Sequence, residues 1–206
     1  AIVATLVHGL SHVLGDWWKY WFAAYPEFHG IRSYVGMVSH ILGHANWDHL
    51  LSNFMMILLV GPILEERHGS RELATMILIT ALITGLINVA FFSNFLVGAS
   101  GIVFMMILLA SVANVRRGEI PLSFIAVTIL FCGREVIAMF GTADGISHSA
   151  HLIGGAAGAA FGFLTAKAHP EAAGQGLPAT GKAGGLAALG AGKASASPVP
   201  RKPPTV

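Results

Sequence analysis

Charge is scarce in this chain. Of its 206 residues, 11% are Asp, Glu, Lys or Arg, against about 25% in a soluble domain. The charges present gather between long apolar runs, which excludes an ordinary water-soluble domain built on one large core. Cysteine is scarcer still. Cys132 stands alone, so an intrachain disulfide and a cysteine metal cluster are both excluded. Its apolar neighbours make it a small buried hydrophobe. The formal net charge of +2 gives no reason to expect a nucleic-acid partner. The first residues lack the basic stretch of a cleavable signal. No His-Glu-x-x-His is present for a zinc protease. The Gly-x-Ser-x-Gly of a soluble α/β hydrolase fails at Ile102.

Apolar sequence is abundant: 54% of residues are hydrophobic. The expectation is an all-α polytopic membrane protein with six spans, near 1–15, 48–64, 73–92, 99–115, 121–140 and 150–167. The first run is shorter than a spanning helix, so it is either truncated or extends into Trp17-Trp18. Between the first two runs, Trp17, Trp18, Tyr20 and Trp21 fit an interfacial aromatic belt. Two regions follow: a six-helix membrane domain over 1–167, and a disordered tail over 168–206. The tail is rich in Ala, Gly, Pro and Lys, with too few large apolar residues to fold.

Basic residues set the orientation. Arg67 and Arg71 follow the second run, Arg116 and Arg117 the fourth, and Lys167 and the tail the sixth. Spans two, four and six then run from outside to inside, and the C-terminus is cytoplasmic. His44, His49 and Asn53 belong to the start of the second span, Ser100 to the start of the fourth, and His151 to the start of the sixth. All three helices enter from one face, so these polar groups share one depth. Polar groups inside hydrocarbon are costly and usually functional.

A serine hydroxyl needs a base within hydrogen-bond reach. His151 is the candidate, with His148 one helical turn before it. With no acid deep in the same spans, the expectation is a Ser-His dyad. His49 and Asn53, four apart on one helix face, can donate to a developing oxyanion, as can the backbone N–H groups at Ser100. Gly98 and Gly101 allow close approach to Ser100. Gly154, Gly158 and Gly162 form a small-residue face that can bring His151 to it. The pair His40 and His44, four apart, suggests a metal site, a reading disfavoured for want of an acidic partner deep in a span.

Four stretches together resemble the rhomboid intramembrane serine proteases. They are His44-x4-His49-x3-Asn53, Glu65-Glu66-Arg67-His68-Gly69-Ser70, Gly98-Ala99-Ser100-Gly101, and Ala150-His151-Leu152-x-Gly154-x3-Gly158. The resemblance covers about residues 36–167. It implies a six-helix core in a membrane, and cleavage of single-span membrane proteins near the outer face without metal or cofactor. It implies Ser100 as nucleophile and His151 as base, with His49, Asn53 and the Ser100 backbone as oxyanion hole. His44 would support the site, and Glu65 and Arg67 would brace the cytoplasmic loop. It also implies a prokaryotic inner-membrane location. Many bacterial members carry a Trp-Arg pair where this chain has Val35-Gly36-Met37. Arg134-Glu135 in the fifth run is unusual and reads as a snorkelling ion pair or as part of the substrate gate that this helix borders in the family. The alternative function is a catalytically silent rhomboid-like protein that binds membrane proteins.

Overall fold

The computed structural model describes residues 1–28, 30–112, 122–141 and 147–168, with the side chains of 138–141 and 166–168 excepted. Arg116, Arg117, Asp144 and the tail from 169 lie outside the described residues. Within them the fold is all-helical, joined by one antiparallel bridge in which Ala24 and Leu96 exchange backbone hydrogen bonds of 3.0 and 2.9 Å.

Helix α1 spans Ile2–Leu14 and ends at Gly15, whose φ of 70° suits glycine. The stretch that follows is not a plain interfacial loop. It folds into α2 (Trp17–Phe22), α3 (Gly30–Ser39) and a 3₁₀ turn at His40–Leu42. Tyr20 and Trp21 are exposed, as a belt requires, but Trp18 is buried against Gly43. Gly36 lies in the middle of α3 and faces the end of α2. A Cβ there would overlap the carbonyl of Ala23, so this position joins α3 tightly to the end of α2.

Helix α4 (Trp47–His68) starts at Asn46, whose side-chain oxygen accepts the His49 backbone N–H at 2.8 Å. It stops at Gly69, φ 82°, and α5 (Ser70–Phe91) begins at the next residue. These two helices are long and apolar enough to cross a membrane. Their outward rows, Leu51, Met55, Leu58 and Ile63 on α4, and Leu78, Leu82 and Leu86 on α5, are exposed. Water would penalise such rows; lipid does not. Inward, α5 presents Thr80, Thr84, Gly85 and Asn88.

Helix α6 (Ser100–Val112) is the centre. Gly101, Ile102, Val103, Met105, Met106, Leu108, Leu109 and Val112 are all buried, as expected of a helix apolar on every side. Helix α7 (Leu122–Val127), a π-helical turn (Thr128–Cys132) and α8 (Gly133–Gly141) form one interrupted rod. Helix α9 spans His148–Ala168.

α9 lies on α6 along the glycine face. A Cβ on Gly154 would overlap the carbonyl of Gly101, one on Gly158 the carbonyl of Met105, and one on Gly162 the side chain of Val112. Residue numbers rise together, so the two helices run parallel and start at the same end. Between lipid-embedded helices there is little hydrophobic drive, and association rests on van der Waals contact and interhelical polar bonds. Each atom pair contributes only about 0.1–0.2 kcal/mol, and a gap of half an ångström forfeits a quarter or more of it. Close approach therefore decides whether this pair holds.

Gly158→Ala should destabilise the folded protein in detergent by about 1–3 kcal/mol or more. Gly9→Ala, where no atom lies within 4 Å of the added Cβ, should leave stability unchanged or raise it by up to about 1 kcal/mol. Thermal unfolding of the two variants beside the parent measures this, and equal loss in both would contradict the packing described.

Candidate active site

The site forms where α4, α6 and α9 begin. Ahead of α6 the chain turns at Gly98, φ 108°. Its N–H donates to the carbonyl of His40 at 2.9 Å. A Cβ on Gly98 would lie 2.5 Å from Cε1 and 2.7 Å from Nε2 of His49. Backbone angle and lack of space therefore both demand glycine here, and the His49 ring lies against the turn that delivers Ser100. Ser100 opens α6 and is half-buried.

His151, in the first turn of α9, is 9% exposed. Its ring stacks on Phe104 with centroids 4.5 Å apart and planes within 6°. Phe104 lies four residues after Ser100, on the same face of α6. At the same level, a Cβ on Gly101 would lie 3.2 Å from the carbonyl oxygen of Ala150. Residues 47 and 49 apart in sequence are thus neighbours across the helix pair. His49 is near enough to His151 for their charges to interact.

Asn53 is buried and donates its side-chain N–H to the His49 carbonyl at 2.9 Å. His44 is fully buried behind His49, with ring centroids 5.2 Å apart. Its carbonyl is 3.1 Å from Nδ1 of His8 on α1. Gly154 and Gly158 support the site from the α6–α9 contact. Glu65 and Arg67 do not belong to it. They sit at the opposite end of α4, roughly 24 Å from His49 by helical rise. There the Glu65 carboxylate accepts the Ser70 hydroxyl at 2.5 Å, which ties the α4–α5 turn, and Arg67 is exposed.

The structure also locates His40 and the Arg134-Glu135 dipeptide. His40 and His44 do not act as an i, i+4 pair, because the 3₁₀ turn separates their partners. His40 Nδ1 lies 3.3 and 3.1 Å from the Gly36 and Met37 carbonyls, and its Nε2 lies 3.4 Å from Thr84 Oγ1. Glu135 is not half of a snorkelling pair with Arg134, and an acid does lie deep in the helical assembly. Arg134 is exposed and Glu135 is 7% exposed. One carboxylate oxygen, Oε2, accepts from Nδ1 of His148 at 2.6 Å and from Nδ1 of His151 at 2.8 Å. Among the described side chains of 122–137, Glu135 is the buried one. The sequence reading gave Phe104 no role, and gave Glu135 only a place in an ion pair or a gate. The available signals were a charge within an apolar run and the four-residue step from Ser100.

Glu135, His148 and His151 offer three ligand-type atoms within 4.8 Å of one another. Tetrahedral zinc with ligands at about 2.1 Å holds them roughly 3.3–3.5 Å apart. The separations of 2.6 and 2.8 Å are those of hydrogen bonds instead.

A family model described as Rhomboid domain matches residues 32–168. Rhomboid-related protein 1 of Caenorhabditis elegans is 36% identical over 137 residues, an alignment covering 61% of this chain and 38% of that protein. The chain thus corresponds to well under half the length of that relative.

Burial pushes His40 and His44, which lie in the connection ahead of α4, down to about 4, so both are neutral in the folded protein at pH 7. Unfolded, each would titrate near the ordinary value of 6.5. Below that value the unfolded chain binds protons that the folded one refuses, so stability is full above about 6.5 and falls as pH drops toward about 4. Between pH 7 and 5 the loss from His40 alone should reach about 2 kcal/mol. The melting temperature in detergent should fall over that range, and a flat profile would contradict neutral buried imidazoles.

Proposed function

The chain belongs to the rhomboid family, and from that membership and the site geometry we propose that it is an intramembrane serine endopeptidase cleaving single-span membrane proteins. The observation that carries the reading is the stack of His151 on Phe104, one turn beyond Ser100 on the same helix. That placement supports reading His151 as a base within reach of the Ser100 hydroxyl.

In this reading, residues 1–167 form a six-helix membrane domain. The spans comprise α1, α4, α5, α6 with the residues after it, the α7–α8 rod, and α9. The exposed apolar rows of α4 and α5 support a lipid setting. Residues 168–206 form a cytoplasmic tail, and the basic residues following alternate spans favour this orientation. A prokaryotic inner membrane fits the resemblance noted for the sequence.

A substrate helix unwinds locally as it enters from lipid and presents a carbonyl to Ser100. The Ser100 hydroxyl proton passes to Nε2 of His151 as Oγ bonds to the carbonyl carbon. The carbonyl oxygen becomes an oxyanion. His49, the free N–H of the Asn53 amide and the backbone N–H groups at the start of α6 are the donors proposed for it. The C–N bond then breaks, the leaving amine takes the proton from His151, and an acyl-enzyme is left on Ser100. Water, activated by the same imidazole, releases the acid and restores the hydroxyl. No step calls for a metal or organic cofactor. The half-buried position of Ser100 at a helix entrance supports access for that water.

Cleavage of a single-span reporter in liposomes tests this directly. Ser100→Ala and His151→Ala should each abolish it, while His49→Ala or Asn53→Ala should lower kcat by roughly 10²–10³. A strong chelator should leave the rate unchanged. Folded wild type that cleaves no reporter from a broad panel would instead favour the silent, binding form of the family.

A further inference from the structure

We propose that Glu135 is the positioning residue of this site, fixing His151 as the Nδ1–H tautomer so that Nε2 faces Ser100, and that the working unit is Ser100–His151–Glu135. The proposal rests on Ser100 and His151 being nucleophile and base.

The argument starts from what a carboxylate can do. Ionised, it only accepts hydrogen bonds. Oε2 of Glu135 has His148 Nδ1 at 2.6 Å and His151 Nδ1 at 2.8 Å. Both nitrogens must then carry hydrogen, and both rings, while neutral, have a bare Nε2. For His151 that is the nitrogen a base needs. The other tautomer would place a hydrogen on Nε2 and leave Nδ1 with a lone pair aimed at an anion.

Burial makes the arrangement stiff. A carboxylate set among helices in hydrocarbon is costly unless its oxygens are engaged, and the two imidazoles engage one of them. The His151 ring is held on its face by Phe104 and on its edge by Glu135. These two supports come from different helices, α6 and α8, and together they remove both the ring flip and the tautomer exchange. His148, one turn earlier on α9, donates to the same oxygen and so holds the carboxylate in place for His151.

During proton transfer the carboxylate keeps its own charge and takes no proton. The Ser100 proton arrives at Nε2, and the imidazolium formed has its Nδ1–H already bonded to the anion. When the leaving amine removes the proton from Nε2, the ring returns to the neutral form it had before. The energy of the charged intermediate is lowered without any atom moving.

Three variants and one spectrum test the proposal. Glu135→Gln and Glu135→Ala should lower kcat by roughly 10²–10⁴, with KM changed by no more than about threefold. Glu135→Asp should recover part of the loss. Independently of activity, long-range ¹H–¹⁵N spectra of histidine-labelled protein, with His151→Ala for assignment, should show His151 as the Nδ1–H tautomer. That signature should be lost in Glu135→Gln. Because the wild-type spectrum suffices, a variant that fails to fold leaves the proposal open to refutation. Wild-type His151 in the Nε2–H form, or undiminished kcat in Glu135→Gln, overturns it while leaving the serine protease reading intact. One equivalent of tightly held zinc in the purified protein, absent from Glu135→Gln, also overturns it. Cleavage surviving in Ser100→Ala sinks the protease reading, and the proposal with it.

Discussion

Helices α6 and α9 touch backbone to backbone because Gly154 and Gly158 offer no Cβ to hold them apart. Nearly everything else depends on that contact. It aligns the two helix starts, and so sets His151 over the face of α6 that carries Ser100 and Phe104. It also helps bury most of α6, while the apolar rows of α4 and α5 stay exposed. In hydrocarbon, where apolar area gives helices little reason to prefer one another over the solvent, the closest approach wins.

A second set of contacts works in the opposite way. Around the α6 start, polar groups rather than small residues fix the geometry. The His40 carbonyl receives the Gly98 N–H, the Asn46 side chain caps α4, and the His49 ring occupies the space beside Gly98. The two hydrogen bonds each satisfy a backbone N–H that the helix or turn leaves without a partner. The α7–α8 rod is held differently again. Its leucines and isoleucines point outward, and Glu135 is its buried side chain among those described up to residue 137. A polar anchor joins it to α9 beside apolar contacts such as Phe124 against Phe163.

Much of this was legible in the sequence. The apolar runs marked where helices would lie, and the four-residue glycine period marked the face of α9 that packs, because both are local patterns. The rhomboid resemblance of the motifs was matched by the family comparison. What the sequence hid has more than one cause. α2 and α3 are short and depend on tertiary partners such as Trp18 against Gly43, so no period announces them. Glu135 hid because in a membrane helix the polar face can turn toward water at the surface or toward the helix assembly, and the sequence pattern is the same in both cases. The π-helical turn just before it further shifts the phase of the residues that follow. Nothing in Arg134-Glu135 as a dipeptide distinguishes an acid turned outward from one turned in. Phe104 hid for a different reason, being one apolar residue among many.

One oxygen shared by two imidazoles has a further consequence. Glu135 and His151 are bound so closely that adding a proton to one changes the free energy of protonating the other. A kinetic pH profile for this protein would therefore have no individual histidine as its owner. Its limbs would belong to the pair, and a variant at Glu135, remote from the serine in role, would move them as surely as one at the base itself.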